Sequence, residues 1–511
     1  MPVVKIRDRS YKYHNINSWS GGVTFLQQAD NESEILENFE IMRDGKIVSR
    51  LGTTKVNQNS LGSNQIVGMS VVGQTNLIVA KAGTTFYYGA VSTSITFSSF
   101  TVPNSPVKNA VRFSSMEDTS SALAVYMVNP NFVGVVKWIP GDPAASDVAS
   151  SPIGKYIHRY NKRLFVAGNT TNPNRLYHSE AGKPDSWPAS NYIDVPPRHG
   201  HITGLAAQPG QLLVFCERSI LSLRGDPPLR YTLDSLHEGI GADLPSAIST
   251  LGSVVYFVSR GALMEMSSSI NLVSDSLRGF PLGATGTDSS RCYGVLTPYY
   301  YFLTYHVNTG VADYTPSASD PYKMLIYDRV RGQAFFHWVY PPTTSVGGTV
   351  GAESVIAYND SNSIFMAGGN GNVYLQPFRQ WSGYSLTTSE VEFTKDDNGG
   401  SGVEVSSRWR SRRMDFGSSL LTKQCRSILV GGTGQSVALT SRLFDVSGTL
   451  RSNAVMSNTT LPSASSLPVV DGATGYSDFS ELQLDLTGER MHLRDVGLEW
   501  RGVRIDARTL P

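Results

Sequence analysis

The chain has 511 residues, and its 43 lysine and arginine residues nearly balance 42 aspartate and glutamate residues, for a formal net charge of +1. Such a chain has no overall field that would hold nucleic acid or an anionic membrane, which excludes strong non-specific DNA binding as its main activity. The length predicts roughly two to four hydrophobic cores. Charged residues make up 17% of the sequence and glycine is abundant, as is typical of β-rich proteins with many turns.

The cysteines and the apolar stretches exclude further classes of protein. Cys216, Cys292 and Cys425 lie far apart without C-x-x-C spacing, which predicts reduced thiols rather than a disulfide framework or a zinc site. No stretch reaches the roughly 18 apolar residues that a membrane span needs, and the N-terminus has no apolar signal region. We therefore expect a chain with no membrane span, made and kept in the cytoplasm or released by lysis.

Residues 1–55 are predicted to form an N-terminal arm and a first strand. Asp30 or Asn31 is a suitable N-cap for a short helix predicted from Glu32 to Phe39. The apolar segment Lys46–Arg50 then predicts a strand.

A repeated unit fills residues 56–376: a strand, a polar turn, a strongly apolar strand, a second turn and an alternating strand. Successive apolar strands start about 45 residues apart, except for the last, and this is the spacing of propeller blades. These strands are Leu77–Ala80, Leu123–Tyr126, Leu164–Ala167, Leu212–Phe215, Val254–Phe257, Tyr300–Leu303 and Ile364–Ala367.

Alternating strands follow several of the apolar ones, at Thr85–Tyr88, Arg175–His178, Ile220–Leu223 and Asn372–Leu375. An apolar strand beside alternating ones suits a stacked blade, because neighbouring blades cover both of its faces. We predict an all-β protein with a propeller-like body of about seven blades. A pair of β-sandwiches or an irregular β-solenoid is the alternative.

Residues 377–511 break the repeat. Lys395–Gly402 predicts a loop, and several apolar strands follow without the repeated spacing. They are centred near Val403, Ile428, Leu443, Leu482 and Leu498. We predict a separate C-terminal domain of the β-sandwich type.

Motifs that carry catalysis are missing from the sequence. His237-Glu238 lacks the second histidine of a zinc-hydrolase helix, and no G-x-S-x-G segment is present. Gly431–Ser436 has no P-loop lysine and predicts a hairpin turn, and Arg224–Asp226 predicts an ordinary turn. We assign no catalytic, cofactor-binding or metal-binding residue and expect that the chain is not an enzyme.

Two sets of residues leave other functions open. A propeller can bring distant carboxylates to the separation of about 5 to 9 Å that glycosidases use, although the sequence defines no pair. The available carboxylates are Asp185, Asp194, Glu217, Asp243 and Glu265. In the basic run at 408–413, alternation places Trp409 opposite Arg408 and Arg410, which favours an interface or a charge-protected edge strand over nucleic-acid contact.

Three segments carry a family resemblance. The first is Asn38–Glu40 with the strand Gly45–Gly52, which ends in Arg-x-Gly and has Leu51 where the family has proline. The second is Asn174–Val195, with Ser-Glu, Gly-Lys-Pro and Trp187 between its two strands, and the third is Leu212–Leu263. Over residues 38 to 375 the chain resembles the tail nozzle, or tail-hub, subunits of short-tailed bacteriophages.

The resemblance implies a structural virion protein of the tail, assembled in the host cytoplasm. Its copies would form a hexameric ring below the head-to-tail adaptor, whose channel retains the packaged genome and conducts it during ejection. The implied partners are other copies, the adaptor, tail fibre or spike proteins, and passing DNA that is bound without sequence specificity.

Two points stay open at this stage. Trp187, between Pro184 and Pro188, either anchors a subunit contact or fills its own blade. The alternative function is a receptor-binding or glycan-degrading tail spike or fibre, in which the aromatic residues of Tyr299–Tyr301 and His337–Trp338 stack on sugars.

Overall fold

The computed structural model describes the following residues of the chain: 3–6, 9–16, 20–21, 32–42, 47–62, 66–72, 77–92, 94–104, 111–225, 231–273, 293–305, 322–330, 334–340, 355–358, 363–367, 371–378, 395–396, 403–411, 413–414, 423–444, 450–461, 469–471 and 481–502. Among these residues the regular structure consists of 41 strands and two short 3-10 helices, Pro197–His199 and Pro245–Ala247. The all-β class predicted from the sequence is confirmed.

Seven strands precede the repeat: β1 (Val3–Ile6), β2 (Arg9–Ile16), β3 (Ser20–Gly21), β4 (Glu32–Glu37), β5 (Phe39–Ile41), β6 (Ile47–Ser49) and β7 (Thr54–Lys55). The predicted strand at 46–50 is confirmed by β6. The predicted helix at 32–39 is wrong, because this segment forms β4 and the start of β5. Its backbone pairs with other strands, so that Leu36 lies opposite the distant Trp409 and Phe39 lies opposite Ser49 of the next strand. These pairings outweigh helix propensity.

Seven four-strand units follow in the described chain. Unit one contains β8 (Ile66–Val72), β9 (Leu77–Ala82), β10 (Thr85–Ala90) and β11 (Ser98–Phe100). Unit two contains β12 (Arg112–Glu117), β13 (Leu123–Val128), β14 (Val136–Trp138) and β15 (Ser146–Asp147). Unit three contains β16 (Tyr156–Tyr160), β17 (Arg163–Ala167), β18 (Arg175–His178) and β19 (Tyr192–Asp194). Unit four contains β20 (Ile202–Gln208), β21 (Gln211–Cys216), β22 (Ser219–Arg224) and β23 (Thr232–Glu238).

The last three units have the same antiparallel order. Unit five contains β24 (Ser249–Leu251), β25 (Val254–Ser259), β26 (Ala262–Met266) and β27 (Ile270–Leu272). Unit six contains β28 (Tyr293–Leu296), β29 (Tyr300–Tyr305), β30 (Tyr322–Asp328) and β31 (Ala334–Tyr340). Unit seven contains β32 (Val355–Tyr358), β33 (Ser363–Ala367) and β34 (Val373–Pro377), and β7 supplies its fourth strand. Each apolar strand predicted from the repeat is the second strand of a unit.

The units follow one another around a ring. The first strand of each unit contacts the first strand of the next, from β8 through to β32, and β32 in turn contacts β8. The N-terminal segment completes the ring, because Thr54 pairs with Leu375 and Lys55 with Tyr374 in the last unit. The propeller-like arrangement predicted from the sequence is confirmed.

Hydrophobic cores fill the interfaces between successive units. Along β9, Ile78 and Ala80 pack in the core shared with unit seven, whereas Val79 packs in the core shared with unit two. Alternate side chains of a strand point to opposite faces, so each second strand must be apolar on both. This packing explains the uninterrupted apolar runs in the sequence.

The C-terminal part adds two paired short strands, β35 (Lys395–Asp396) and β36 (Val403–Glu404), and five further strands. These are β37 (Ser406–Ser411), β38 (Lys423–Phe444), β39 (Leu450–Leu461), β40 (Val469–Asp471) and β41 (Glu481–Gly502). The long strands β38 and β41 pair with each other, and β41 also pairs with β2, β6 and β37.

These C-terminal strands do not form a sheet of their own, unlike the separate domain that we predicted. β37 pairs with β4 of the arm, and β4 pairs with β31 of unit six, so one hydrogen-bonded network of 15 strands joins the arm, unit six and the C-terminal part. The predicted strands near Ile428 and Leu443 belong to the single strand β38, and those near Leu482 and Leu498 belong to β41.

The predicted hairpin turn at Gly431–Ser436 is also wrong, because this segment lies inside β38. The pairing of β38 with β41 shifts register between Gly431 and Gly432 and again on both sides of Gln435. Such β-bulges accommodate glycine and serine without ending a strand. A glycine-rich segment therefore bends a long strand here instead of reversing the chain.

Candidate functional site

A buried polar junction connects the arm, the ring and the C-terminal sheet. Arg50 is only 2% exposed. Its Nε donates to Asn38 Oδ1 (2.9 Å), and its Nη1 donates to Leu51 O (2.9 Å) and to Gln376 Oε1 (3.4 Å). Gln376 belongs to the last strand of unit seven and donates through Nε2 to Leu51 O (2.9 Å). One guanidinium group thus fixes the arm to the end of the ring.

The same junction reaches the C-terminal sheet through Asn38 and two serines. Asn38 Nδ2 donates to Ser406 O (2.7 Å). Ser407 Oγ lies 2.9 Å from Asn38 O and 2.8 Å from Ser49 Oγ, and the backbone N–H of Met491 donates to Ser49 Oγ (2.8 Å). Asn38 has a φ of 59°, a left-handed conformation that asparagine tolerates better than most residues. The junction residues Asn38, Ser49 and Arg50 all come from the first segment of the family resemblance.

A second polar group lies on the axis of the ring. Arg112, at the start of β12 in unit two, donates through Nη2 to Ser246 Oγ in the 3-10 helix before unit five. Its guanidinium carbon also lies 6.0 Å from the ring centroid of Tyr293 in unit six. Units two, five and six lie on different sides of a seven-unit ring, so Arg112 crosses the mouth of the axial opening.

Tyr156 at the start of unit three belongs to the same mouth. Burial raises the pKa of its phenol, and the nearby positive charge of Arg112 opposes that shift. In the same strand, burial lowers the pKa of His158, although its Nδ1 lies 3.0 Å from Arg159 O and this contact opposes the shift. Both shifts have burial of the side chain as their largest cause.

A lysine clamp joins units two and three. Lys137 Nζ lies 2.8 Å from Asp118 Oδ2 and 2.9 Å from Asp185 Oδ2. Tyr126, which is fully buried, donates to Asp185 Oδ1 (3.0 Å). Asp185 comes from the loop that follows β18, so the clamp ties that loop of unit three to two strands of unit two.

The pKa directions in the clamp follow from this geometry. Burial opposes ionisation of Asp118, but its hydrogen bonds from Lys137 and from backbone N–H groups outweigh burial and lower the pKa of the carboxyl group. Burial opposes the charge of Lys137 too, and the two carboxylates raise its pKa. Burial and then Asp185 raise the pKa of Tyr126. The clamp is therefore a charged ion-pair group beside a neutral phenol, with no proton held ready for transfer.

A related contact joins units five and six. Tyr256 donates to Glu265 of its own unit and stacks on Tyr301 of unit six at a centroid distance of 5.3 Å. The guanidinium carbon of Arg329 lies 5.4 Å from the ring centroid of Tyr256, and Arg329 Nη1 donates to Thr297 O (2.6 Å). Glu265 is thereby engaged in holding two units together.

The remaining candidate carboxylates have separate roles. Asp194 receives two hydrogen bonds from Arg175, at 2.7 and 3.2 Å. Glu217 accepts a hydrogen bond from the backbone N–H of His201 at 3.3 Å, and Asp243 is exposed. The five candidates thus contact different partners. Among the described residues, no group of three or more histidine, cysteine, aspartate or glutamate side chains is placed to hold a metal ion.

Three of the aromatic residues proposed for sugar stacking lie in the core. Tyr300, Tyr301 and Trp338 are at most 2% exposed. Trp338 Nε1 donates to Phe39 O (3.0 Å), which ties unit six to the arm. Strand packing therefore accounts for these three rings. Tyr299 is half-buried, and the side chain of His337 lies outside the described residues.

Trp187 is 7% exposed and packs in the core between units two and three, with Tyr126, Leu164 and Val166 among its neighbours. Its Nε1 donates to Pro184 O (2.8 Å), which holds the proline-flanked loop against the ring. Of the two interpretations left open above, filling of the core agrees with this position.

The basic run at 408–413 alternates as predicted, since Trp409 is fully buried and both neighbouring arginines bind one carboxylate. Arg408 and Arg410 each approach Asp485 Oδ2 at 2.7 Å. The strand is not an edge strand, however, because β37 pairs with β4 on one side and β41 on the other. The arginines hold a central part of the sheet.

Cys216 is buried with a free thiol, and burial raises its pKa to about 12, so the thiol is neutral and unreactive, as expected. The structure does not describe the surroundings of the other two cysteine side chains. His237 and Glu238 lie in strand β23 and not on a helix. In the predicted turn at 224–226, Arg224 is the last residue of β22, Gly225 follows the strand with a φ of 95°, and Asp226 lies outside the described residues.

No helix in the described part of the chain has both the length and the apolar character that a membrane crossing requires. This finding agrees with the hydropathy of the sequence.

No protein-family profile and no curated protein sequence matches the chain. Solved structures with a similar fold include Raptor of Chaetomium thermophilum (TM-score 0.41, 9% identity, 65% of this chain and 29% of that one). A Saccharomyces cerevisiae complex of Dbp5 with Nup159 and Gle1 has a TM-score of 0.40 and 13% identity, over 71% of this chain and 99% of that one. YCF48 bound to a D1 peptide has a TM-score of 0.38 and 12% identity, over 66% and 98%. The likeness concerns the fold alone.

Sequence reasoning missed Arg112, Asp118, Lys137 and Lys81. A lysine inside the apolar strand Leu77–Ala82 is a visible anomaly, and it marks the fully buried Lys81. Lys137 alternates with buried Val136 and Trp138 and shows no comparable signal. The partners of Arg112 are more than a hundred residues away along the chain, so no local pattern identifies it.

Proposed function

We propose that the chain is a structural subunit of a phage tail, a nozzle or hub protein whose copies form a ring below the head-to-tail adaptor. The channel of that ring retains the packaged genome and conducts it during ejection. The subunit contributes shape and rigidity, and it performs no chemistry of its own.

The observation that carries this proposal is the buried junction of Asn38, Ser49 and Arg50. These residues belong to the segment that resembles the nozzle family, and they fasten the arm to unit seven and to the C-terminal sheet. A conduit that holds a pressurised genome needs subunits whose parts do not move apart. A junction with buried charge-assisted hydrogen bonds suits that requirement, because opening it would leave polar groups without partners.

The position of Arg112 determines where such a channel would run. Its contacts with units five and six, across the ring from unit two, place a side chain in the path that DNA would take along the axis of one subunit. In the proposal, DNA therefore passes through the centre of a ring of copies, and the axis of each subunit stays closed.

The near-neutral charge agrees with a conduit. Each phosphate contact with a basic wall would release counterions and hold the DNA more tightly, which slows its passage. A chain with 43 basic and 42 acidic residues avoids that general attraction.

Cryo-electron microscopy of virions of the phage whose genome encodes this chain tests the proposal. We expect density for the chain in a ring around the tail axis, with the mouth at Arg112 closed in every subunit. A peripheral trimer with outward loops would overturn the proposal in favour of a spike, and release of reducing sugar from host polysaccharide by the purified chain would do the same. Absence from virions would overturn the tail assignment altogether.

A further inference from the structure

The outer strands of the seven units differ in whether another segment of the chain pairs with their outer edge. The outer strand of unit six, β31, pairs on its far side with β3 and β4 of the arm. The outer strand of unit seven is itself supplied by the arm, as β7. The chain thus uses extended segments from elsewhere to extend or complete its own units.

Unit four has an outer strand as long as that of unit six, but no described segment pairs with its outer edge. Strand β23 has seven residues, the same as β31, whereas β11, β15, β19 and β27 have two or three residues each. In the described part of the chain β23 pairs with β22 alone. A row of backbone N–H and C=O groups along such an edge is a template for another strand.

The register of β23 leaves its first half regular. Residues Thr232 to Ser235 pair in sequence with Arg224 to Leu221, and the irregularity falls between Ser235 and His237. A bulge protects only the part of an edge that it bends. A regularly paired segment of four residues therefore remains for strand addition.

The exposed side chains of β23 indicate which charge a partner strand should carry. Thr232, Asp234, Ser235 and Glu238 are exposed, and residues 232–238 contain no lysine or arginine. Neither carboxylate has an ion pair with another described residue. An acidic edge repels other acidic strands and favours a strand with basic side chains at alternate positions.

We propose that the free edge of β23 binds an extended basic segment of another polypeptide by strand addition. Backbone hydrogen bonds to Thr232–Ser235 supply affinity for any extended segment, and Asp234 and Glu238 supply the selectivity for basic side chains. The inference rests on β23 and not on the tail assignment, although a neighbouring tail protein would be a natural source of the segment.

A labelled synthetic peptide with the sequence Thr-Lys-Val-Lys-Val-Lys-Thr tests the inference on the full-length protein. Binding is measured by fluorescence anisotropy, and its location by hydrogen–deuterium exchange. We expect slower exchange of the backbone amides of residues 232–238 when the peptide is bound. The same peptide with glutamate in place of lysine should bind at least tenfold more weakly.

The double variant Asp234→Lys, Glu238→Lys should weaken binding of the basic peptide at least tenfold. Both side chains are exposed, so the fold is expected to tolerate the change. Asp147→Lys, which alters an exposed carboxylate on the two-residue outer strand β15, is the matched control and should bind like the unmodified protein.

Three results would overturn the inference: no binding of the basic peptide, equal binding of the acidic peptide, or protection outside residues 232–238. These results are independent of the virion experiment. A chain that is absent from virions could still bind the peptide through β23, and a chain that forms the tail ring could fail to bind it.

Discussion

Units one to five and the C-terminal sheet are both antiparallel β structure, but they are assembled from the chain in opposite ways. Each of these five units is one continuous segment, and unit three, for example, lies within Tyr156–Asp194. The C-terminal sheet pairs Val48 with His492 and Leu36 with Trp409, so it depends on both ends of the described chain. The comparison shows that units one to five are specified by local sequence, whereas the sheet is specified by distant partners.

The variant with the largest expected effect removes part of the buried junction that links the ring to the C-terminal sheet. Arg50→Leu removes three donated hydrogen bonds from a fully buried site, and we expect it to destabilise the protein by about 4 kcal/mol. Thermal and urea unfolding should show the C-terminal sheet melting before the ring. Arg218→Leu, at an exposed arginine, is the control and should have little effect. Equal stability of the two variants would mean that the junction does not couple the regions.

A change within the ring should have a different signature. Trp187→Ala leaves a cavity between units two and three, and we expect a loss of about 3 kcal/mol, with the C-terminal sheet unaffected. Val133→Ala, at a 65% exposed valine, is the matched control. If Trp187→Ala kept its stability but lost self-association, Trp187 would instead be a subunit anchor.

Lys81 should oppose the stability of unit one. Burial lowers its pKa from 10.5 to about 8, and its Nζ donates to Gly83 O (2.7 Å). The folded state therefore disfavours the charged lysine. This penalty is complete below about pH 8 and disappears as the pH rises toward 10.5.

We accordingly expect Lys81→Met to stabilise the protein by roughly 2 kcal/mol at pH 7. The gain should shrink progressively when unfolding is measured between pH 8 and pH 10.5. Lys155→Met, at an exposed lysine, should give no such gain. A gain that does not depend on pH would show that packing, and not desolvation of the charge, is responsible.

The smallest expected effect concerns the clamp between units two and three. Lys137→Met leaves Asp118 without its cation, and we expect a loss of roughly 1 kcal/mol, since water screens the partly exposed pair with Asp185. The lowered pKa of Asp118 stabilises the fold above the carboxyl group's ordinary range, and acidification through its folded-state pKa removes this stabilisation.

The acid sensitivity distinguishes the clamp from simple packing. Unfolding midpoints measured from neutral pH down to pH 3 should fall less steeply in Lys137→Met than in the unmodified protein. Lys183→Met alters an exposed pair with Glu180 and serves as the control. Parallel pH profiles for the clamp variant and the unmodified protein would exclude a role for the ion pair.

The comparison of the ring units with the C-terminal sheet also explains which parts of the fold could be predicted from the sequence. The apolar strands of all seven units were predictable, because each must be buried on both faces and its turns are local. The strand at 32–37 was not predictable, since its pairing with β37 involves residues near position 409. Gly431–Ser436 misled the prediction because glycine marks both turns and bulges, and only the partner strand distinguishes them.

The candidate sites show the same difference between what local sequence predicts and what distant partners decide. The segment containing Asn38 and Arg50 was recognisable by resemblance, but its partners Gln376 and Ser407 were not. The carboxylates considered for catalysis included Asp185, whose actual partners Lys137 and Tyr126 belong to the preceding unit. A pattern identifies a residue type at a position, and the fold determines which group it contacts.

The pairing of β2, β4 and β6 with the C-terminal strands also orders events during synthesis. At about 5 to 20 residues per second, the ribosome needs on the order of half a minute or more to reach β41 after it has made the arm. During that time β7 can complete the ring once unit seven emerges, but β6 still lacks its pairing with β41. Nascent chains should therefore pass through a state with a formed ring and an arm not yet paired with the C-terminal strands, which a chaperone or a protease could detect before the sheet closes.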